Sequence, residues 1–275
     1  MGSQASPDWS AMVPAVARAA GKPRRRRRFL AAWLFSFVPL LAGHAASTDP
    51  AATVAPSAGF RDFASLSHYA QANQALPPPA SGEHRVVFIG DSITDGWASS
   101  DPGFFAGAGA VRRINRGIGG QTSPQMLLRF RQDVVALRPA VVHILAGTND
   151  VARNWGAMAL EDTEASIASM AEMARANRIR VVIGSIPPVK DFPWRPGLDP
   201  GFAIEALNEW LRNYCRASGC VYVDYYSVLS DGRGGARPGV TYDGVHPTRA
   251  GYRLMEPLAD AAIVAALGDV TPNPR

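Results

Sequence analysis

Val86-Val87-Phe88-Ile89-Gly90-Asp91-Ser92-Ile93-Thr94 is the stretch that decides the fold. Four apolar residues in a row suit a strand buried on both faces, as in a parallel sheet. The run stops at a glycine and turns polar at once. Ser92 therefore falls at a strand-to-helix turn, which exposes a hydroxyl at the sheet edge and aims helix N–H groups towards it. Read alone, the serine could equally be a helix cap.

Downstream, the same alternation repeats. Residues 111–114 form a weaker strand candidate, and Ser123-Pro124 opens a helix to about residue 137, with serine as N-cap and proline in the first helical position. Strands are expected at 140–145, 180–183 and 220–223, and helices at 161–177, 199–217 and 248–267. Strands alternating with helices imply a parallel sheet covered on both faces. In such sheets ligands bind at the carboxyl ends of the strands. Four polar clusters lie at or beyond strand ends: Gly90-Asp91-Ser92, Gly119-Gly120-Gln121-Thr122, Gly147-Thr148-Asn149-Asp150 and Asp243-Gly244-Val245-His246.

These clusters hold the parts of an acyl-transfer site. A serine hydroxyl needs a base to become a nucleophile. His246 is the candidate, since His68 and His84 lie outside the clusters and His143 sits within an apolar strand as a core histidine. Asp243, three residues before His246, could orient the imidazole and stabilise its charged form. By itself Asp-x-x-His reads as a turn and helix cap; paired with Ser92 it reads as a base and its orienting acid. Oxyanion donors are available as the Ser92 amide, the Gly120 amide and the Asn149 carboxamide. Taken singly, Gly120 is an ordinary turn glycine and Asn149 an Asx-turn residue.

In order and spacing, the four clusters resemble the four blocks of the SGNH hydrolases, also called the GDSL esterase/lipase family. The likeness runs over roughly residues 84–267 and is carried by Gly90-Asp91-Ser92-Ile93-Thr94, Asn115-Arg116-Gly117-Ile118-Gly119-Gly120-Gln121-Thr122, Gly147-Thr148-Asn149-Asp150 and Asp243-Gly244-Val245-His246-Pro247. The extended stretch at 90–97, GDSITDGW, is most similar to bacterial secreted members. The resemblance implies an α/β/α sandwich with a five-stranded parallel sheet, of the flavodoxin-like kind. It also implies Ser92 as nucleophile, His246 as base, Asp243 as its partner, and Gly120 and Asn149 as oxyanion donors, with no metal or cofactor. Ordinary α/β-hydrolases differ: their elbow is G-x-S-x-G, whereas Thr94 stands here in the second glycine position. A serine esterase acting on short- to medium-chain or acetyl esters is expected. The alternatives are a carbohydrate or cell-wall O-acetyl esterase, an acyl thioesterase or lysophospholipase, and a catalytically silent glycan-binding module.

Upstream of the domain, the chain changes character. Of the 275 residues, 1–46 carry seven basic groups against Asp8 alone, a net +6, so the rest of the chain is at −1 of the total +5. The basic character belongs to the N-terminus, and the body has no electrostatic footprint for nucleic acid. Arg24 to Arg28 followed by an apolar run at 29–43 and small residues near Ala45 make a secretory signal over residues 1–46. Fifteen apolar residues broken by Pro39 fall short of the ~20 a spanning helix needs. Arg26-Arg27-Arg28-Phe29-Leu30 also fits a twin-arginine pattern, which leaves the export route open. The expected organisation is a signal peptide at 1–46, a linker and N-terminal helix at 47–83 (the helix over 60–75), and the hydrolase domain at 84–270. Export to the periplasm or medium is expected, with no stable membrane anchor after cleavage and a small-molecule or polysaccharide ester as substrate. Two cysteines exclude a disulfide scaffold and a four-cysteine zinc site. Cys215 and Cys220 flank Gly219 at a helix-to-strand turn. A bridge would suit an oxidising compartment; the other reading is two reduced, partly buried thiols. Trp97 and Trp155, which follow two of the blocks, are candidates for lining a pocket.

Overall fold

The computed structural model describes residues 62–107 and 109–268; the expected leader, and the linker to residue 58, lie outside them. Turns over 62–69 lead into a short helix, α1 (Ala70–Ala75). Then follow β1 (His84–Gly90), α2 (Ser92–Ser100), α3 (Pro102–Phe105), β2 (Val111–Gly117), α4 (Ser123–Asp133), β3 (Val141–Leu145) and α5 (Thr148–Val151). The chain continues through α6 (Leu160–Ala176), β4 (Arg180–Gly184), α7 (Gly201–Ser218), β5 (Val221–Val223), α8 (Tyr225–Leu229) and α9 (Arg249–Gly268). The five strands form one parallel sheet in the order β2-β1-β3-β4-β5. The expected α/β/α architecture with a five-stranded parallel sheet is therefore present.

Side chains of a strand alternate between faces, and β1 shows what that achieves here. Val87 and Ile89 point into a core built with Met126 and Phe130 of α4, Ile167 and Met170 of α6, and Leu211 of α7. Val86 and Phe88 point the other way, towards Ile93 and Trp97 of α2, Tyr225 of α8, and Met255 and Ile263 of α9. A strand that serves two cores has to be apolar throughout, which is why the run 86–89 has no polar member. At the sheet edge, β2 is half-exposed, and it carries Arg112, Arg113, Asn115 and Arg116. His143 is buried on β3, stacks on Phe88 at 4.6 Å and shares a 2.7 Å hydrogen bond with the Tyr225 hydroxyl. Burial pushes its pKa down to about 3, so it stays neutral, as a core histidine should.

Two expectations need correction. The helix expected over 60–75 is only the six residues of α1 among the described part. Asp62 accepts hydrogen bonds from the Leu66 and Ser67 amides, and Ser65 takes a positive φ of 54°, so the chain coils in turns instead. This segment does not simply coat the outside, because Asp62, Phe63 and Ser65 line the main cavity. The helix expected from 123 to 137 ends at Asp133, and a separate 3-10 turn covers Val135–Leu137.

The strand order reverses direction between β1 and β3. Such a switch point opens a crevice at the carboxyl edge. The first three polar clusters follow β1, β2 and β3 directly, and the fourth precedes α9. Cys215 and Cys220 are joined in a disulfide at the opposite, amino-terminal edge of the sheet.

Candidate active site

Close packing dictates the first turn. A Cβ on Gly90 would lie 2.8 Å from the Leu145 carbonyl oxygen and 2.0 Å from the Thr94 hydroxyl, so only glycine lets β1 pass into α2 there. Asp91 caps α2 through the Ile93 amide at 2.9 Å, and Ser92 follows as the first helical residue. Its amide is thus one of the first-turn N–H groups that a helix leaves without an intrahelical partner. Gly120 has φ +75° with nothing near its missing Cβ, which leaves its amide accessible on the cavity wall.

His246 arrives from the far end of the chain. Its turn is fixed by Asp243, whose Oδ1 accepts from the amides of Val245 at 3.0 Å and His246 at 2.8 Å. Val245 between them is buried and anchors the turn in a third apolar cluster with Val189, Phe192 and Leu207. Asp243 Oδ2 is then 2.7 Å from His246 Nδ1, and His246 Nε2 is 2.9 Å from Ser92 Oγ. A carboxylate facing Nδ1 keeps the proton on that nitrogen, which leaves Nε2 as an acceptor for the serine proton. Desolvation would raise the Asp243 pKa, but hydrogen bonds from the His246 amide and imidazole and the Val245 amide outweigh it and hold the carboxyl below its ordinary range. The imidazole also lies between two rings: Tyr242, nearly parallel at 5.5 Å, and Trp194 at 5.9 Å.

Asn149 sits in the one-turn helix α5 and is buried. Its Nδ2 donates to the Gln121 carbonyl at 3.0 Å, and its Oδ1 accepts from Asn154 Nδ2 at 2.6 Å. The neighbouring Asp150 accepts from the amide and hydroxyl of Ser123, so the third cluster is tied to the start of α4. Burial raises the Asp150 pKa against those hydrogen bonds. A second staple is Arg129, fully buried, whose guanidinium donates to Gln121 Oε1 at 2.6 Å, the Gly90 carbonyl at 3.0 Å and Asp133 at 3.2 Å. One cation thereby holds the first and second clusters in register.

Ser92, Gly120, Asn149 and His246 all line one cavity of about 650 Å³, and Asp243 stands behind His246. Of the two tryptophans expected there, Trp155 lines the cavity, whereas Trp97 is fully buried in the core, stacked on Phe104 and Tyr252, with its indole N–H donating to Glu256. The reason is helix phase: Ile93 and Trp97 stand four apart on α2, so both face inward. Gln121 of the second cluster also lines the cavity, as do Trp194, Asn154, Arg195 and Phe63, which sequence reading missed. The only prior signal for Trp194 was its place in the long segment after β4, beyond a strand's carboxyl end.

A hydroxyl, an imidazole and a carboxylate linked in series, beside unbonded amides at the edge of a parallel sheet, are the equipment of an ester hydrolase that works through an acyl-enzyme. The chain belongs to the GDSL-like lipase/acylhydrolase family, whose model matches residues 88–254. It is a carboxylic ester hydrolase. A crystal structure of a GDSL-like lipase from Bacteroides thetaiotaomicron VPI-5482 superposes with a TM-score of 0.70, at 45% identity over 74% of this chain and 99% of that one. Esterase TesA of Pseudomonas aeruginosa is 28% identical over 181 residues, which cover 62% of this chain and 84% of that protein. An acetylxylan esterase of Geobacillus stearothermophilus is 36% identical over 95 residues; the match spans 27% of this chain and 43% of that protein. Among the described residues, no helix is long and apolar enough to cross a membrane.

Proposed function

We propose that the protein is an exported serine esterase that removes short acyl groups, acetyl above all, from hydroxyl-rich substrates of the carbohydrate type. The observation that carries the catalytic part is the unbroken series Ser92 Oγ, His246 Nε2, His246 Nδ1, Asp243 Oδ2, at 2.9 and 2.7 Å. In the proposed course, Ser92 Oγ attacks the ester carbonyl while His246 takes its proton. Asp243 stabilises the imidazolium, and the oxyanion is met by the amides of Ser92 and Gly120 and by the Asn149 carboxamide. The tetrahedral intermediate collapses as His246 gives the proton to the departing alcohol. Water, deprotonated by the same histidine, then releases the acid and restores Ser92.

The cavity's lining supports the choice of substrate. Among the described residues it has three aromatic side chains, Phe63, Trp155 and Trp194, and no aliphatic one; the others are polar, charged or glycine. A long acyl chain gains ~0.8 kcal/mol for each CH₂ taken out of water, but only against an apolar wall, and no continuous wall of that kind lines this cavity. Exposed aromatic faces beside amide, carboxylate and guanidinium groups suit a sugar, which has apolar C–H faces and many hydroxyls. The likeness to the acetylxylan esterase supports the same reading. Residues 1–46, read as a secretory leader, support export.

The test is a fluorophosphonate label with peptide mapping, followed by p-nitrophenyl esters from C2 to C16 beside acetylated xylan. Labelling at Ser92, its loss in Ser92→Ala with turnover lower on the order of 10⁶-fold, and acetate release with little activity beyond C4 are expected. Near-normal turnover in Ser92→Ala would end the catalytic reading. An optimum at C8 or longer would end the substrate reading.

A further inference from the structure

Two side chains outside the proposed catalytic set are wired to it. Trp194 Nε1 donates to Asn154 Oδ1 at 2.9 Å, Asn154 Nδ2 donates to Asn149 Oδ1 at 2.6 Å, and Asn149 Nδ2 donates to the Gln121 carbonyl at 3.0 Å. The ends of this series fix the direction of every bond in it. An indole N–H can only donate and a backbone carbonyl can only accept. With a donor at one end and an acceptor at the other, each carboxamide between them has one orientation that satisfies both neighbours. Turning Asn149 over would set its NH₂ against the Asn154 NH₂ and its oxygen against the Gln121 oxygen, two repulsive contacts in place of two hydrogen bonds.

We infer that Asn154 and Trp194 are positioning residues that hold the Asn149 carboxamide with its NH₂ presented to the oxyanion and its oxygen turned away. The inference rests on the reading of Asn149 as an oxyanion donor. Asn149 needs such help. One of its two N–H bonds is spent on Gln121, which leaves the other for the substrate, and a flipped amide would present a lone pair to a developing negative charge. The backbone adds to the bracing, because the Asn154 amide donates to the Asn149 carbonyl at 3.1 Å and closes the turn that carries both residues. Trp194 has a second contact, its ring standing 5.9 Å from the His246 imidazole. One side chain of the segment between β4 and α7 thus touches both the base and the support of the oxyanion donor. A substrate seated in the cavity, which Trp194 lines, would press on both at once.

The experiment measures kcat and KM for p-nitrophenyl acetate, with melting temperature, in Asn154→Ala, Asn154→Asp, Trp194→Phe, Asn149→Ala and the double variant Asn149→Ala/Asn154→Ala. A strong oxyanion donor is worth ~10²–10³ in kcat, and a misdirected one loses part of that. Asn154→Ala should lower kcat roughly 10- to 50-fold and leave KM within about twofold. Asn154→Asp, nearly the same shape, should do at least as much damage, because an ionised carboxylate accepts and cannot donate to Asn149 Oδ1. Trp194→Phe keeps the ring and loses only the N–H, and should cost a few-fold in kcat. In the Asn149→Ala background, Asn154→Ala should change kcat by less than about twofold, since nothing is left to orient. Full kcat in Asn154→Asp, or an undiminished Asn154→Ala effect on top of Asn149→Ala, overturns the inference. Wild-type kcat in Asn149→Ala would instead overturn the oxyanion reading beneath it. If Asn154→Ala does not fold, Asn154→Asp and Trp194→Phe decide the question in the same way.

Discussion

Replacing Asp91 by asparagine should stabilise the protein at alkaline pH and leave it unchanged in acid. Asp91 lies between the glycine that ends β1 and the proposed nucleophile, with none of its surface exposed. Its Oδ1 accepts from the Ile93 amide. Burial is the main influence and raises its pKa from 3.8 to about 7; the Ile93 amide, the His246 charge and the Thr148 hydroxyl pull the other way, and Asp150 adds to the rise. A carboxyl whose pKa is higher folded than unfolded holds its proton better in the folded state, so ionising it costs stability. Below the unfolded value near pH 4 both states are protonated and there is no cost. The cost grows as pH climbs to 7 and is complete above it. A rise of roughly three, at about 1.4 kcal/mol each, makes this about 4 kcal/mol at pH 8.5. Asparagine carries no charge and still offers an oxygen to the Ile93 amide. For a domain of ~200 residues, 1 kcal/mol moves Tm by roughly 2–4 °C. Calorimetric melts should therefore show the two proteins within about 2 °C of each other at pH 4 and Asp91→Asn higher by about 10 °C at pH 8.5. Groups such as Asp243, whose depressed pKa gives stability that is lost as pH falls, are common to both proteins and cancel in the difference. A Tm gap that is the same at every pH, or that closes as pH rises, would refute the account of a buried carboxyl held against ionisation.

Asn149→Ala should lower kcat on p-nitrophenyl acetate by ~10²–10³-fold, or about 2.7–4 kcal/mol of barrier, with little change in Tm; a large fall in Tm instead would make Asn149 structural. Opening the Cys215–Cys220 bridge by Cys215→Ser/Cys220→Ser should cost about 2 kcal/mol in a urea melt, because the loop it closes is short. Turnover should stay at the wild-type level, since the bridge lies at the sheet edge away from the cavity. Phe63 stands edge-on to Trp155 at 5.0 Å on the cavity wall. Phe63→Ala should raise KM for acetylated xylan several-fold and leave kcat/KM for p-nitrophenyl acetate within about twofold, whereas equal losses on both would show that Phe63 acts on the catalytic groups.

The sheet was legible in the sequence because burial on both faces leaves a mark that needs no knowledge of neighbours. Strand β1 is apolar at every position from Val86 to Ile89, and β3 is broken only by His143, whose Nε2 is bonded to the Tyr225 hydroxyl. The edge strand β2 was fainter for the same reason, since its half-solvated flank admits Arg112 and the cover of Asn73 and Tyr69 admits a buried Arg116. Helix α2 left no comparable mark: Gly96, Ser99 and Ser100 are poor helix formers, and the element forms because Ile93 and Trp97 are drawn into the core. The 62–69 segment misled in the opposite direction. Its apolar residues do recur at helical intervals, but Phe63 serves the cavity, Tyr69 reaches the Gly117 carbonyl, and Asp62 bonds the amides a helix would have needed.

The candidate site divides in the same way. Ser92, Asn149, Asp243 and His246 lie in short stretches where identity and spacing together carry the information, so they could be named without coordinates. The groups that hold them are set by contacts across the fold. Arg129 lies 39 residues from the carbonyl it grips, and Trp194 lies 40 from Asn154. Nothing local distinguishes Arg129 from a solvated helix arginine, or Trp194 from a packing residue. Their worth is visible only in what they touch: a buried guanidinium shared by two of the polar clusters, and an indole N–H that decides which way an amide two residues along the series must face. Asp91 fits the same logic from the side of cost. A fully buried carboxyl is a poor choice for stability, and such choices gather where function constrains the chain. Between Gly90, which admits no side chain, and Ser92, which must stand at the head of α2, the residue at 91 has to cap that helix within a space closed to water. Aspartate does so at the expense of the charge it cannot comfortably carry.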